Sequence, residues 1–480
     1  MAAKPYQSHP YLSGHHQPMR FEAYAPDLIV EGELPEDLAG VFYRNGGEPL
    51  YNPPEGYHWF EGDGMVYGFY FEDGRVSMRN KWVRTEKFEA ELKAGKRLFG
   101  LFGDPRTSDP SVQGMRFNPG NTNIIMHGGK LLALAEGAPA IELDPRSLDT
   151  RDYLDYGGTI TTTFGAHPKL DLFSGEMVNL GYMINGPDGK PEIRYDIIDT
   201  AGEVTQTSFF DAPFNSLVHT FLVTENWVVF PFSPIDQSFE RAMKGGPAIA
   251  WVDRPNKLAL MPRNGDTEKI RWLDMPGRHM FHELNAWEED GKFIADVAAA
   301  NGTALFPYED GSMNTHGETI QELRRWTIDL TGKTDDVKEE VLNDRDIQFP
   351  RPDDRAVTRK LSHCYANLNQ DSVDGRVDGM DSVLHFNTES GKEDIYHYGA
   401  GSACGEFIFA PRLGSTEEAD GYAMTLVHPA NAQHTELAIF DAQDVAAGPI
   451  ARVIVPYKIP SGFHCNYYSA ESPLYSAALG

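Results

Sequence analysis

Apolar residues along the chain come in short runs. They alternate with polar positions and are stopped every few residues by Gly, Asp, Asn or Pro. GVFYRNGGEP, MVYGFYFEDGRVSMRNKWV, NIIMHGGKLLALAEG, WVVFPFSP, AIAWVDRPNKLALMPRNG, HELNAWEEDGKFIADVAA and YAMTLVHPANAQHTELAIFDA all have this form. A period of two is the signature of strands. FYFEDGRVSM and LNAWEEDGKFIADV each set a DG pair between two such runs, which predicts hairpins. Helical signals are few. KFEAELKAGKRLFGLF (87–102), with Phe88, Leu92 and Leu98, predicts one helix, and PIDQSFERAMKGG (234–246) predicts a shorter one. No linker, low-complexity tract or shift in composition marks a domain boundary. Two all-β architectures remain open: a pair of sandwiches, or a closed radial array of four-stranded sheets. No blade motif repeats cleanly, so the pattern alone does not choose between them.

Composition narrows the partners rather than the fold. The 480 residues are 41% hydrophobic and 24% charged, enough apolar surface for a large core. The net charge of −29 repels phosphate backbones and anionic lipid heads, so nucleic acid is not an expected partner. The first 20 residues, MAAKPYQSHPYLSGHHQPMR, lack the apolar run of a secretory leader. No apolar stretch of about 18 residues predicts a membrane-spanning helix. The three cysteines, Cys364, Cys404 and Cys465, are odd in number and scattered, which fits neither a disulfide framework nor a zinc ribbon. The expectation is a soluble cytoplasmic protein.

The chemistry on offer lies in the 16 histidines. His9, His15 and His16 fall in a polar N-terminal stretch and are expected to be solvated. Most others sit in or beside strand-like runs such as GAHPKLD, LVHTFLV, MFHELNAW, LSHCYANL and GFHCNYY. Taken singly, each reads as an ordinary strand histidine. Neutral imidazole is nevertheless the commonest ligand for transition metals. No local spacing such as HExxH is present, so a metal site requires a fold that brings distant strands to one axis. A propeller does this. In HWFEGDGM, Glu61 and Asp63 offer an acid–base pair, but the glycines around Asp63 favour a turn.

An ordered set of segments carries a more specific signal. FYRNGGEP, HWFEGDGMVYGFYF, NKWVRTEKFEAE, TSDPSVQG, NTNIIMHGGKLLALAEG, LDPRSLDTRD, GAHPKLDLFSGEM, HTFLVTENWVVF, FHELNAWEE, GEFIFAPR and GFHCNYY run from about residue 20 to the end. With them the chain resembles the carotenoid cleavage oxygenases, in particular the bacterial branch of stilbene- and isoeugenol-cleaving enzymes. The resemblance implies one seven-bladed β-propeller over residues 20–480, with a dome of loops and helix over an axial metal, after a flexible segment at 1–19. It implies that His167, His219, His282 and His464 hold Fe(II), that O2 is the co-substrate, and that no organic cofactor takes part. It places acidic residues behind the ligands at Glu136 and Glu406. The third such position holds Gln348, where the family has Glu, and its expected partner is His282. The expected reaction cleaves a C=C bond of a stilbene, phenylpropene or apocarotenoid into two carbonyl products. The alternatives are an isomerase or hydrolase of the same family, or a non-catalytic propeller that binds a hydrophobic ligand.

The substrate side is less regular. The family's phenol-gripping Tyr and Lys correspond here to Phe102 and Ala135, and Phe60 is expected to line the same pocket. Tyr43, Tyr51 and His58 stand near the same motifs and are candidates for a replacement polar contact. The implied partner is a small hydrophobic alkene, with at most peripheral membrane contact through residues 87–102.

Overall fold

Successive side chains of a strand point to opposite faces, and in this molecule both faces are covered. Val41 and Tyr43 of the strand Gly40–Arg44 pack into one apolar cluster, while Phe42 between them packs into another. Ile124 and Ile125, Met177 and Val178, and Leu222 and Val223 divide in the same way. Strands buried on both sides read as near-continuous apolar runs. A sheet made of them must stand between two neighbouring sheets.

The computed structural model describes residues 6–102, 104–277, 279–370 and 380–480, and its sheets are arranged in that manner. Seven antiparallel sheets form the blades of a β-propeller. Their innermost strands, from blade one to blade seven, are Cys465–Ser469, Asn123–His127, Lys169–Asp171, Leu222–Val223, His279–Glu289, Ile347–Arg351 and Ile408–Pro411. One apolar cluster fills each of the seven junctions between neighbouring blades. Of the two architectures left open by the pattern, the radial one is therefore correct.

The ring is closed at two blades by the two ends of the chain. Ile29–Gly32 adds the outermost strand of blade seven by pairing with Ala451–Val455. Cys465–Ser469 adds the innermost strand of blade one, with Cys465 opposite Arg44 and Ser469 opposite Gly40. The DG hairpins form as expected: Asp73–Gly74 and Asp290–Gly291 both take positive φ at the two turn positions, the geometry of a type I′ turn.

Four local expectations need correction. The helix expected over 87–102 spans only Glu86–Ala94, because Gly95 adopts a left-handed cap that returns its N–H to Glu91 and Leu92. Glu91 then accepts from the N–H groups of Leu98 and Phe99, folding the following residues into a turn. Its buried face carries Lys87 and Glu91 beside Phe88, so the helix is fixed inward by charge, with Lys87 2.5 Å from Asp63. The second helix is also shorter, Phe239–Met243, because the preceding Ile235–Gln237 pairs with Ile249–Trp251 as a two-stranded ribbon. The segment expected to be flexible at 1–19 packs against the body from Tyr6 onward. The Tyr6 hydroxyl donates to the Pro49 carbonyl, and Leu12, His16 and Met19 are buried. His16 is not solvated; its ring stands edge-on to Trp59 at 4.9 Å, because Tyr11 and His16 together cover that indole.

Candidate metal centre and the chamber beside it

His167 and His219 precede the inner strands of blades three and four, His282 lies within the inner strand of blade five, and His464 precedes that of blade one. The propeller axis thus gathers four side chains that are distant in sequence. One ring nitrogen from each lies within 4.8 Å of the others. Neighbouring rings are close: His167 is 4.4 Å from His219 and 4.3 Å from His464, and His282 is 5.2 Å from both His219 and His464. Among the described residues, His167 Nε2, His219 Nε2 and both ring nitrogens of His282 have no hydrogen-bond partner. Unpaired buried polar atoms are costly, and three such nitrogens, one each from His167, His219 and His282, gathered with one of His464 call for a common occupant. Two nitrogens each about 2.1 Å from one ion are at most about 4.2 Å apart, so small rotations close this cluster on a single metal. Burial, reinforced by the neighbouring imidazoles, holds His167 and His282 well below the usual histidine range and lowers His464 as well. They are neutral bases at pH 7, as ligands must be.

Two carboxylates fix the outer nitrogens. Glu136, just after the strand Lys130–Leu134, accepts from His219 Nδ1 and from the Tyr182 hydroxyl. Glu406 accepts from His464 Nδ1 at 3.0 Å, from Arg351 at 3.1 Å and from the Cys465 N–H at 2.5 Å. Burial alone would raise the Glu406 carboxyl, but Arg351 and His464 outweigh it and hold it below the ordinary carboxylate value. An ionised Glu406 makes Nδ1 the protonated nitrogen of His464 and leaves its Nε2 lone pair free. Cys465 points the other way, into the apolar cluster between blades one and seven.

The cluster separates two unlike surroundings. On one side a cavity of about 330 Å³ is lined by His167, His282 and His464 together with Lys169, Glu283 and Arg351. Lys169 and Glu283 pair there, and the Thr220 hydroxyl bridges them. On the other side the walls are aromatic. Phe281 stacks on His219 at 4.2 Å and 8°. Phe463, next to His464, meets Phe60 at 5.4 Å and Trp59 at 4.6 Å. Phe60 and Phe102 join Ile235, Ile249, Phe306 and Trp251 in one apolar group, carried by the two-stranded ribbon and the loops above blade one. Phe60, Phe102 and Trp251 are only partly buried.

The same fold is found in known proteins. A model of the family described as retinal pigment epithelial membrane protein (RPE65) matches residues 16–469. The chain belongs to this family, the carotenoid oxygenases. Isoeugenol monooxygenase of Pseudomonas nitroreducens is 34% identical over 464 residues, covering 95% of this chain and 97% of that protein. The crystal structure of Pseudomonas brassicacearum lignostilbene dioxygenase superposes with a TM-score of 0.92 at 34% identity, over 98% of this chain and 100% of the other. That of cobalt-substituted apocarotenoid oxygenase from Synechocystis gives 0.80 at 28% identity, over 97% and 98%.

Among the described residues the third outer contact is absent. Gln348 does not reach His282. Its amide nitrogen donates to Asp346 at 3.0 Å and its oxygen accepts from Gln321 at 2.8 Å. An amide has a donor that the Asp346 carboxylate can satisfy, and a glutamate there would not. The strand Ile347–Arg351 bulges at this point, with Phe349 at φ 49°, and Phe349 rather than Gln348 lies against the His282 ring at 4.8 Å. Glu61 and Asp63 serve structure: Glu61 caps the turn Trp59–Glu61 and pairs with Arg97, and Asp63 begins a strand and pairs with Lys87. Ala135 is buried beside Glu136. Tyr43 donates to the Pro145 carbonyl inside the junction of blades one and two, away from the chamber. His58, by contrast, lies against both Phe60 and Phe102. Phe281, Phe349, Arg351 and the Lys169–Glu283 pair were not singled out from sequence. Their one signal is position, since three of them sit within two residues of a cluster histidine.

Proposed function

We propose that this chain is a non-haem Fe(II) dioxygenase that cleaves a C=C bond of a conjugated hydrophobic alkene, of the stilbene, phenylpropene or apocarotenoid type, into two carbonyl products. The observation that carries the reading is the set of four imidazoles on the propeller axis, one ring nitrogen of each within 4.8 Å of the others, beside an aromatic wall. When bound, iron supplies the activation of O2, with no organic cofactor needed. His167, His219, His282 and His464 are the residues to hold it. A four-imidazole set adds no charge to that of the ion, and it is compatible with open positions for O2. Glu136 and Glu406 hold His219 and His464 in the orientation that presents Nε2. Phe60, Phe102, Phe306 and Phe281 receive the flat alkene and exclude water from it. The names of the relatives, which refer to isoeugenol, lignostilbene and apocarotenoid, support this substrate class.

The test is iron content and O2 uptake of the anaerobically Fe(II)-loaded protein. The panel contains an apocarotenal, a hydroxystilbene, isoeugenol and a vinylphenol, with product masses read out. One iron per chain and two carbonyl products from one panel member are expected. His464→Ala is expected to lose the iron and keep the fold. Full iron occupancy in that variant would sink the four-histidine assignment.

A further inference from the structure

Two buried ring nitrogens of the aromatic group have no hydrogen-bond partner among the described residues and carry an assignable proton: the indole Nε1–H of Trp59, and Nε2 of His58, whose ring lies against both Phe60 and Phe102. His58 Nδ1 accepts from the Phe60 backbone N–H at 3.3 Å, as the cap of the turn Trp59–Glu61. Burial lowers His58 to about 3, so the ring is neutral at physiological pH. A neutral imidazole that accepts at Nδ1 carries its hydrogen on Nε2. That Nε2 is buried and has no hydrogen-bond partner among the described residues. The ring is enclosed by Phe60 at 4.5 Å, Phe102 at 6.1 Å, Phe306 at 6.4 Å and Tyr11 at 5.5 Å. The two wider contacts, with Phe102 and Phe306, are near-parallel, at 22° and 21°. A flat conjugated ring lying among these side chains would meet aromatic faces on its sides and an N–H at its edge.

A second histidine narrows the choice. His279 also has an unpartnered Nε2, but its Nδ1 meets the Ser233 hydroxyl, which either donates or accepts, so its proton is not fixed. It lies 5.6 Å from Phe281, which stacks on His219, one ring from the metal cluster. Ring contacts link His58 through Phe60 to Phe463, the chain neighbour of His464, one ring further from the cluster than His279. It is therefore the unpartnered histidine farther from the cluster by ring contacts.

We infer that His58 Nε2–H binds an acceptor oxygen at the end of the alkene remote from the cleaved bond. The enzyme would then select conjugated substrates by an acceptor, such as a methoxy or carbonyl oxygen, and not by a donated hydroxyl. A site with a buried donor rejects analogues that leave it unpaired. The inference rests on the proposed alkene-cleaving function for its substrate class.

The test compares two ligands of the same shape, trans-4-methoxystilbene and trans-4-ethylstilbene, which differ by an oxygen in place of a CH2. Equilibrium dialysis against the Fe(II)-loaded full chain, kept anaerobic so that no turnover occurs, gives both dissociation constants. The methoxy ligand is expected to bind about tenfold more tightly, the effect of one hydrogen bond to an otherwise unpaired donor. trans-4-Hydroxystilbene is expected to bind no more tightly than the methoxy ligand. His58→Asn keeps an oxygen where Nδ1 accepts from Phe60 and removes the Nε2–H; in it the methoxy-to-ethyl ratio is expected to fall to about one. Equal constants for the two ligands in the wild type, binding of neither, or a ratio that survives His58→Asn overturns the inference. The wild-type comparison decides even if the variant fails to fold. Admitting O2 then reads the parent proposal separately: a preserved binding preference with no carbonyl products refutes alkene cleavage and leaves His58 as a ligand donor.

Discussion

Glu406→Gln isolates what a carboxylate does behind a ligand histidine. Three donors converge on Glu406: His464 Nδ1 and Arg351 on one oxygen, and the Cys465 N–H on the other. An amide of the same shape has a single oxygen. If that oxygen faces His464, the NH2 group meets the Cys465 N–H; if it is turned round, the NH2 meets His464 and Arg351. Either way at least one charge-assisted hydrogen bond is lost in a site where Glu406 is 2% exposed, a cost of about 1.5–3 kcal/mol. Arg351 keeps Asp354, the Cys465 carbonyl and Asn466, so the fold is expected to survive. His464 is less firmly oriented, and metal affinity is expected to fall about 10- to 100-fold, or about 1.4–2.7 kcal/mol. Co(II) titration against a competing chelator measures the affinity, and urea unfolding of the metal-free protein measures the stability term. Affinity within twofold of wild type with an unchanged urea midpoint would show that Glu406 does not orient His464.

Other perturbations probe separate features. Gln348→Glu is expected to retain or raise turnover, because His282 has no outer partner to lose; complete loss would assign a necessary role to the contacts with Gln321 and Asp346. Burial raises the Glu48 carboxyl to about 7 despite the Tyr67 hydroxyl, Arg44 and the Met19 N–H. Between its ordinary 4.5 and about 7 the folded protein keeps a proton that the unfolded chain has released, so stability declines as pH rises through that window. The decline is about 3 kcal/mol, and Glu48→Gln is expected to remove it; a wild-type urea midpoint that is flat over the window contradicts this. Metal at a hundredfold excess over its dissociation constant adds about 2.7 kcal/mol to stability. For 480 residues this raises the melting temperature by roughly 3 °C, and a chelator that leaves the melting curve of the loaded protein unmoved argues against a metal held in the native state.

What the sequence disclosed follows from the range of the interactions involved. Strands and DG turns are local, and they were legible in runs such as FYFEDGRVSM. The choice of a radial array was not, because it depends on Phe42 and Tyr43 facing different neighbouring sheets, a long-range fact. The four histidines were recoverable only through the resemblance, since no two of them share a local spacing. Helix 87–102 was overextended because its amphipathic pattern continues past Gly95, where the backbone turns left-handed. Gln348 was placed from its sequence neighbours Phe349 and Pro350, but a bulge turns its side chain to Asp346. His16 looked solvated because its partner, Trp59, is brought to it only by the folded N-terminal segment.

The closing strand gives the chain a safeguard during synthesis. His464 arrives on the segment that completes blade one, after every other blade has been made. A chain made only as far as residue 463 holds three of the four imidazoles and an open ring. Any product truncated before residue 464 remains in that state, without the finished centre that would bring oxygen chemistry to exposed, half-folded polypeptide.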